Sequence, residues 1–154
     1  MILGIDPGLS GAYAFLADDG TITAGDLPVA GGSIDIPTFA KIVRDAAPRC
    51  AVVEDVHSMP KQGVSSTFKF GCAHGSVLGA ILALGVPTHM VAPTRWKRHF
   101  RLSADKDASR ALAIRLWPTA GCFGRKKDHG RAEAALIALW LTQASEAATL
   151  RAAE

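Results

Sequence analysis

Three carboxylates stand in sequence that is otherwise apolar, and they constrain the fold of this chain more than any other feature. Asp6 ends the run Met1-Ile2-Leu3-Gly4-Ile5, Glu54 ends Ala51-Val52-Val53, and Glu133 lies within Ala132 to Leu139. Short apolar runs bounded by turn residues read as buried strands, and the longer run in the last quarter reads as a buried helix. A lone carboxylate in such surroundings is strongly disfavoured unless a cation or hydrogen bonds keep it ionised. The fold is therefore expected to bring the three acids to a common partner.

The rest of the chain supplies the frame. Strands are expected over Met1 to Ile5, Ala12 to Ala17 and Thr21 to Leu27, with Asp18-Asp19-Gly20 as a hairpin turn. A loop follows at Gly31-Gly32-Ser33, then a helix from Pro37 to Ala47 and a fourth strand, Cys50 to Val56, apolar enough to be central. A polar loop around Met59 to Gly63 leads into a long helix ending near Leu84. Thr88 to Ala92 is a fifth strand, followed by helices over Pro93 to Phe100, Ser103 to Leu116 and Asp128 to Leu150. Hairpins first and strands alternating with helices afterwards predict an α/β fold, a mixed five-stranded sheet flanked by helices. With 154 residues and no linker or repeat, residues 1–154 read as one domain. Gly71, Gly75 and Gly79 share one face of the long helix, where each costs about 1 kcal/mol against alanine. Either the sheet or the same helix of a second copy should approach closely there.

Charge divides along the chain. Residues 56–131 hold 13 Lys or Arg against three acids, a net of +10, and the remainder carries −7. Concentrated positive charge suits a polyanion, and a nucleic-acid backbone is the commonest one. Arg95, Lys97, Arg98 and Arg101, interleaved with Trp96 and Phe100, form one candidate contact segment; Arg125-Lys126-Lys127 form another. The apolar runs fall short of a membrane span, and no leader is visible. Cys50, Cys72 and Cys122 are odd in number and widely spaced, which reads as buried thiols in a reducing cytosol.

Asp6 and Glu54 each end a strand, and adjacent parallel strands would deliver both to one sheet edge. Asp55 competes with Glu54, because neighbours point to opposite faces. On the last helix, 100° per residue puts Glu133 in line with Ile137 and Trp140. His129, one turn earlier, shares that face; Asp128 is either a helix cap or a ligand. Oxygen-rich donors without cysteine suit Mg²⁺ or Mn²⁺ rather than zinc. Such ions, in a nuclease, clamp the scissile phosphate and activate water.

Five ordered segments now carry a resemblance: Ile5-Asp6-Pro7-Gly8-Leu9-Ser10-Gly11-Ala12, Val52-Val53-Glu54-Asp55-Val56, Phe70-Gly71-Cys72-Ala73-His74-Gly75, Pro93-Thr94-Arg95-Trp96-Lys97 with Ala104-Asp105-Lys106, and Asp128-His129-Gly130-Arg131-Ala132-Glu133-Ala134. Together they resemble RuvC-type Holliday junction resolvases, especially the shorter, phage-like members. The resemblance implies a ribonuclease H-like fold and a homodimer that cuts paired strands of four-way or branched DNA, in the cytoplasm of a bacterial or phage-infected cell. It implies Mg²⁺, with Mn²⁺ able to substitute, held by Asp6, Glu54 and Glu133 and by His129 or Asp128. The family's usual spacing puts that fourth ligand at Gly130, where this chain departs from the pattern. Lys97 and Lys106 match family lysines near DNA; Arg95, Arg98, Arg101 and Lys127 add to them, and the position of an aromatic junction wedge is His57 here. The competing readings are a protein of this fold that binds junctions without cutting, and a ribonuclease H or flap-type nuclease. An actin-like ATPase would need a second such domain.

Overall fold

The computed structural model describes residues 1–57, 63–103 and 105–152; the side chains of Lys106 and of residues 147–152 lie outside the described part. Three strands come first, β1 (Ile2–Asp6), β2 (Ala12–Leu16) and β3 (Ile22–Asp26), then a minute hairpin of β4 (Val29–Ala30) and β5 (Ser33–Ile34). There follow α1 (Ile36–Ala46), β6 (Cys50–Glu54), α2 (Val64–Ala83), β7 (Thr88–Val91), α3 (Pro93–His99) and α4 (Lys106–Leu116). A single 3-10 turn (Lys126–Asp128) then leads into α5 (His129–Ala152).

The main sheet has the order β3-β2-β1-β6-β7, antiparallel from β1 to β3 and parallel from β1 through β6 to β7. This is the mixed five-stranded sheet that the sequence predicts, and it has two covered faces. Alternation along the strands sorts the side chains between them. Ile2, Ala12, Ala14, Leu16 and Val52 pack beneath α5, with Trp96, Ala113 and Phe123. Leu3, Ile5, Phe15, Ala51 and Val53 pack beneath α1 and α2, against Phe39, Val43, Val77 and Ile81. Each large apolar side chain so enclosed stabilises the fold by roughly 1.5–3 kcal/mol.

Gly4 decides how close α5 comes. A methyl group there would collide with the carbonyl oxygen of Ala134 and stand 2.8 Å from the Ala138 nitrogen. Only glycine lets helix backbone lie directly on β1. Alanines 132, 134, 135 and 138 serve the same end from the helix side, and every residue from 132 to 138 is buried. The helix is buried, as the apolar run predicts: α5 lies across β1, β2 and β3 on one side and against α4 on the other.

Several boundaries differ from expectation for local reasons. The Gly31-Gly32 loop is closed by the β4–β5 hairpin, whose strands are too short to leave a pattern. β6 stops at Glu54 rather than Val56, because its partner β7 ends at Val91. α4 begins at Lys106 rather than Ser103, since Asp105 caps it by accepting from the Asp107 amide. The loop around Met59 lies outside the described residues, which resume at Gly63.

Three further expectations meet the structure. Cys72 is exposed, and Cys50 and Cys122 are only half-buried, so the thiols are not the enclosed set expected. The glycines of α2 do not face the sheet: beside Gly71, Gly75 and Gly79 an added methyl would meet nothing within 4 Å. Among the described residues no helix is long and apolar enough to cross a membrane.

Candidate metal and nucleic-acid site

Strand parity brings the first two acids together. In β1 the even positions face α5, so Asp6 follows Ile2 and Gly4 onto that side; in β6, Val52 and then Glu54 do the same. The strands are parallel neighbours in register, Ile5 opposite Val53, which sets Asp6 and Glu54 at adjacent strand ends. Asp55 falls to the other side, half-buried and 3.7 Å from His57. Glu54 is therefore the member of the pair that enters the site.

Glu133 arrives from α5, one residue before the Ala134 carbonyl that rests on Gly4. Asp6, Glu54, Glu133 and His129 line one open cleft of about 640 Å³, with the Pro7–Gly11 turn, Val56, Ser66, Lys69 and Phe70. Glu54 and Glu133 are 7% and 6% exposed, so both carboxylates are held largely away from water. Each has specific partners. The Trp96 indole donates to Glu54 Oε1 at 2.8 Å. The Lys97 ammonium stands 3.0 Å from Glu133 Oε1, to which Ser109 Oγ also donates at 3.3 Å. Burial pushes the Glu54 carboxyl above its ordinary range; the Trp96 hydrogen bond and the Lys97 charge oppose that, and the Glu133 charge adds to it.

Asp128 takes the capping role. It is 2% exposed, accepts from the Arg125 backbone at 2.8 Å and from its guanidinium at 2.8 and 3.0 Å, and lies 3.8 Å from Arg131. Burial alone would raise its carboxyl, but these bonds and charges outweigh it and hold the group below the usual range. It does not line the acidic cleft; His129, half-buried at the start of α5, does. Gly130 is against Asp6: a methyl group there would sit 3.1 Å from Asp6 Oδ2. A longer side chain at 130 would project onto that carboxylate, and this chain has none.

The basic positions divide. Arg95, Arg98, Arg101 and Lys127 are exposed, as a phosphate-contacting surface requires. Arg95 lies over the Trp140 ring at 5.4 Å. Lys126 and Lys127 line a second groove, with Asp105, Asp107 and His129, so His129 borders both depressions. Lys106 opens α4, but its side chain lies outside the described residues. His57 is exposed just beyond β6. The interleaved aromatics are not a stacking surface: Trp96 is wholly buried and Phe100 packs against the core.

Four features escaped sequence reasoning. Lys69, the sole charged residue of α2, lines the cleft, and its isolation in an apolar helix was the available signal. Trp96 and Ser109 as carboxylate donors left no signal, since each reaches an acid far along the chain. Arg131 grips Asp26 with two bonds of 2.7 and 2.8 Å, pinning edge strand β3 to α5; no periodicity encodes such a pair.

Three carboxylates and an imidazole, with no thiolate in the cleft, are the donor set of a hard divalent cation. Among the described residues, no three such groups stand close enough together to hold one ion as they are. The positive charge at Glu133 is instead the Lys97 ammonium. The residues fit a cation in chemistry, and loading one requires the acids to draw inward and Lys97 to share Glu133.

No family model matches the chain. The chloroplastic Holliday junction resolvase MOC1 of Chlamydomonas reinhardtii is 38% identical over 85 residues, 53% of this chain and 10% of that protein. The chain thus spans about a tenth of that curated relative. Among solved structures, Thermus thermophilus RuvC in complex with a Holliday junction substrate superposes with a TM-score of 0.67 at 18% identity, covering 94% of each chain. A second Thermus thermophilus RuvC structure gives 0.64 at 17% identity, covering 94% of this chain and 96% of that one. With its mixed five-stranded sheet and flanking helices, this chain has the fold of these RuvC structures, which is ribonuclease H-like.

Proposed function

We propose that this chain is a divalent-metal-dependent endonuclease, selective for structure, that resolves four-way (Holliday) DNA junctions by paired phosphodiester hydrolysis. One observation carries the reading: Asp6, Glu54 and Glu133 converge with His129 on a single cleft, beside a helix that exposes Arg95 and Arg98. Asp6, Glu54, Glu133 and His129 would hold Mg²⁺ or Mn²⁺. The ion's contribution is to polarise the scissile phosphate and lower the pKa of a bound water. Arg95, Arg98, Arg101, Lys126, Lys127 and Lys69 draw the phosphate backbone toward the acids, and that attraction weakens steeply with salt.

Cutting two symmetry-related strands calls for a second copy, and α2 provides a face for it. Val64, Phe68, Gly71, Gly75, Gly79 and Leu82 follow at steps of three and four, hence on one side of the helix. Val64 is 88%, Phe68 72% and Leu82 56% exposed, and the glycines leave room for close backbone approach. A homodimer that pairs this face on itself would have the two-fold symmetry of a junction.

The test is cleavage of a synthetic four-way junction with Mg²⁺, set against binding in EDTA, with an RNA–DNA hybrid and a flap as competing substrates. Paired cuts on the junction are expected. Asp6→Asn should abolish them and leave binding intact or tighter, because a negative charge near phosphate is gone. A second reading, junction binding without cutting, is favoured by the bare Gly130 beside Asp6. Binding with no cleavage at any Mg²⁺ or Mn²⁺ concentration would establish it.

A further inference from the structure

We propose that Trp96 is a positioning residue for Glu54, its indole N–H setting the orientation in which that carboxylate meets the cleft. The proposal rests on the reading of Glu54 as a working acid. Trp96 is wholly enclosed, in the cluster that includes Val52, Ala134, Ile137 and Trp140, so its ring has no freedom to follow a moving partner. A buried indole N–H needs an acceptor; the half-buried Trp117 meets its own need with a backbone carbonyl, donating to the Gly20 oxygen at 3.0 Å. Trp96 instead donates at 2.8 Å to a carboxylate, a charge-assisted bond that is shorter and stronger than a neutral one.

Topology makes the bond a fixed link rather than a chance contact. Glu54 is paired with Val91, the last residue of β7, and α3 starts two residues later at Pro93. Trp96 is thus seated one turn into a helix whose origin is tied to the backbone of Glu54 itself. The next residue, Lys97, addresses the other buried acid of the cleft, Glu133. Two successive residues of one seven-residue helix therefore hold the two enclosed carboxylates that line the cleft, one by a neutral donor and one by a charge. One N–H satisfies one oxygen, so the indole fixes Oε1 and leaves Oε2 for the cleft.

The experiment reads the indole directly. The chain has three tryptophans, so ¹⁵N-labelled protein gives three indole resonances, and Trp117→Phe with Trp140→Phe assigns Trp96 by elimination. Glu54→Gln should move the Trp96 resonance and leave that of Trp117 in place. Mg²⁺ added to the unaltered protein should move the same resonance saturably. In cleavage, Trp96→Phe should lower kcat and raise the Mg²⁺ needed for half-maximal rate, together by roughly 10–100-fold, with junction affinity in EDTA unchanged. A Trp96 resonance indifferent to Glu54→Gln, or a Trp96→Phe protein with unaltered kcat and Mg²⁺ dependence, overturns the proposal. Should Trp96→Phe fail to fold, the two resonance measurements decide. Absence of cutting by the unaltered protein would sink the nuclease reading, while Glu54→Gln would still judge the indole link.

Discussion

Adding one carbon at Gly4 should disable the site from its rear. The methyl of Gly4→Ala would stand 2.9 Å from the Ala138 methyl and closer still to the Ala134 carbonyl oxygen. Carbon atoms pack at about 3.5–4.0 Å, so α5 must retreat by about 1 Å at this crossing. Overpacking of that kind costs roughly 1–3 kcal/mol, and the upper end applies because backbone atoms, not flexible side-chain ends, must give way. At about 2–4 °C per kcal/mol for a chain of this size, Tm should fall by about 6–12 °C. The strand's own gain on replacing glycine, roughly 0.5–1 kcal/mol, is too small to offset this. Glu133 adjoins Ala134 and moves with it, and a misplacement of about 1 Å can cost about 100-fold in rate. Thermal unfolding by circular dichroism and junction cleavage at fixed Mg²⁺ measure both effects. A Tm within about 2 °C of the unaltered protein, with full cleavage, would refute the close approach and the reasoning built on it.

Lys97→Met removes the cation from enclosed Glu133 and should lower stability in EDTA by roughly 1–3 kcal/mol. Excess Mg²⁺ should recover part of that loss in denaturant titrations, and identical losses with and without Mg²⁺ would contradict it. Glu54 provides a pH test. Its carboxyl is raised in the folded chain, so folding favours its protonated form and the ionised form costs stability. That penalty is absent below the ordinary glutamate value, grows as pH rises toward the elevated folded value and is complete above it. Without metal, Glu54→Gln should therefore raise Tm at neutral pH and leave it unchanged well below pH 4.5; the reverse order would refute the assignment. Asp128→Ala should cost about 1–2 kcal/mol as a lost cap while leaving cleavage measurable, whereas His129→Ala should keep Tm and lose cleavage. Exchanged outcomes would exchange the two roles.

The sheet was readable because strands ending in acids, a hairpin at Asp19-Gly20 and a proline-stopped helix each leave short-range marks. Asp6 and Glu54 could be paired as strand ends; strand alternation alone left Asp55 open, the resemblance named Glu54, and the parity that β1 and β6 share supplies the physical reason. Asp128 stayed ambiguous because its decisive partner, Arg125, binds it through a turn that sequence periodicity does not describe. Trp96 misled for a different reason. Between arginines and lysines it has the composition of a stacking residue, yet its ring belongs to the core and only its N–H reaches the site. Gly4 left a faint mark, a glycine inside an apolar strand, whose meaning depends on a helix some 130 residues later.

The alanines of α5 have a consequence for how this cleft can change over generations. Glu133 is planted in the longest unbroken buried stretch among the described residues, where the alanines at 134 and 138 are small because β1 already lies against them. Drift toward bulkier residues at 134, 135 or 138 would shift the acid along with the helix, so selection for packing and selection for chemistry fall on the same few codons. Innovation is left to the rim, where Lys69, His57 and the arginines of α3 can be exchanged without disturbing the floor.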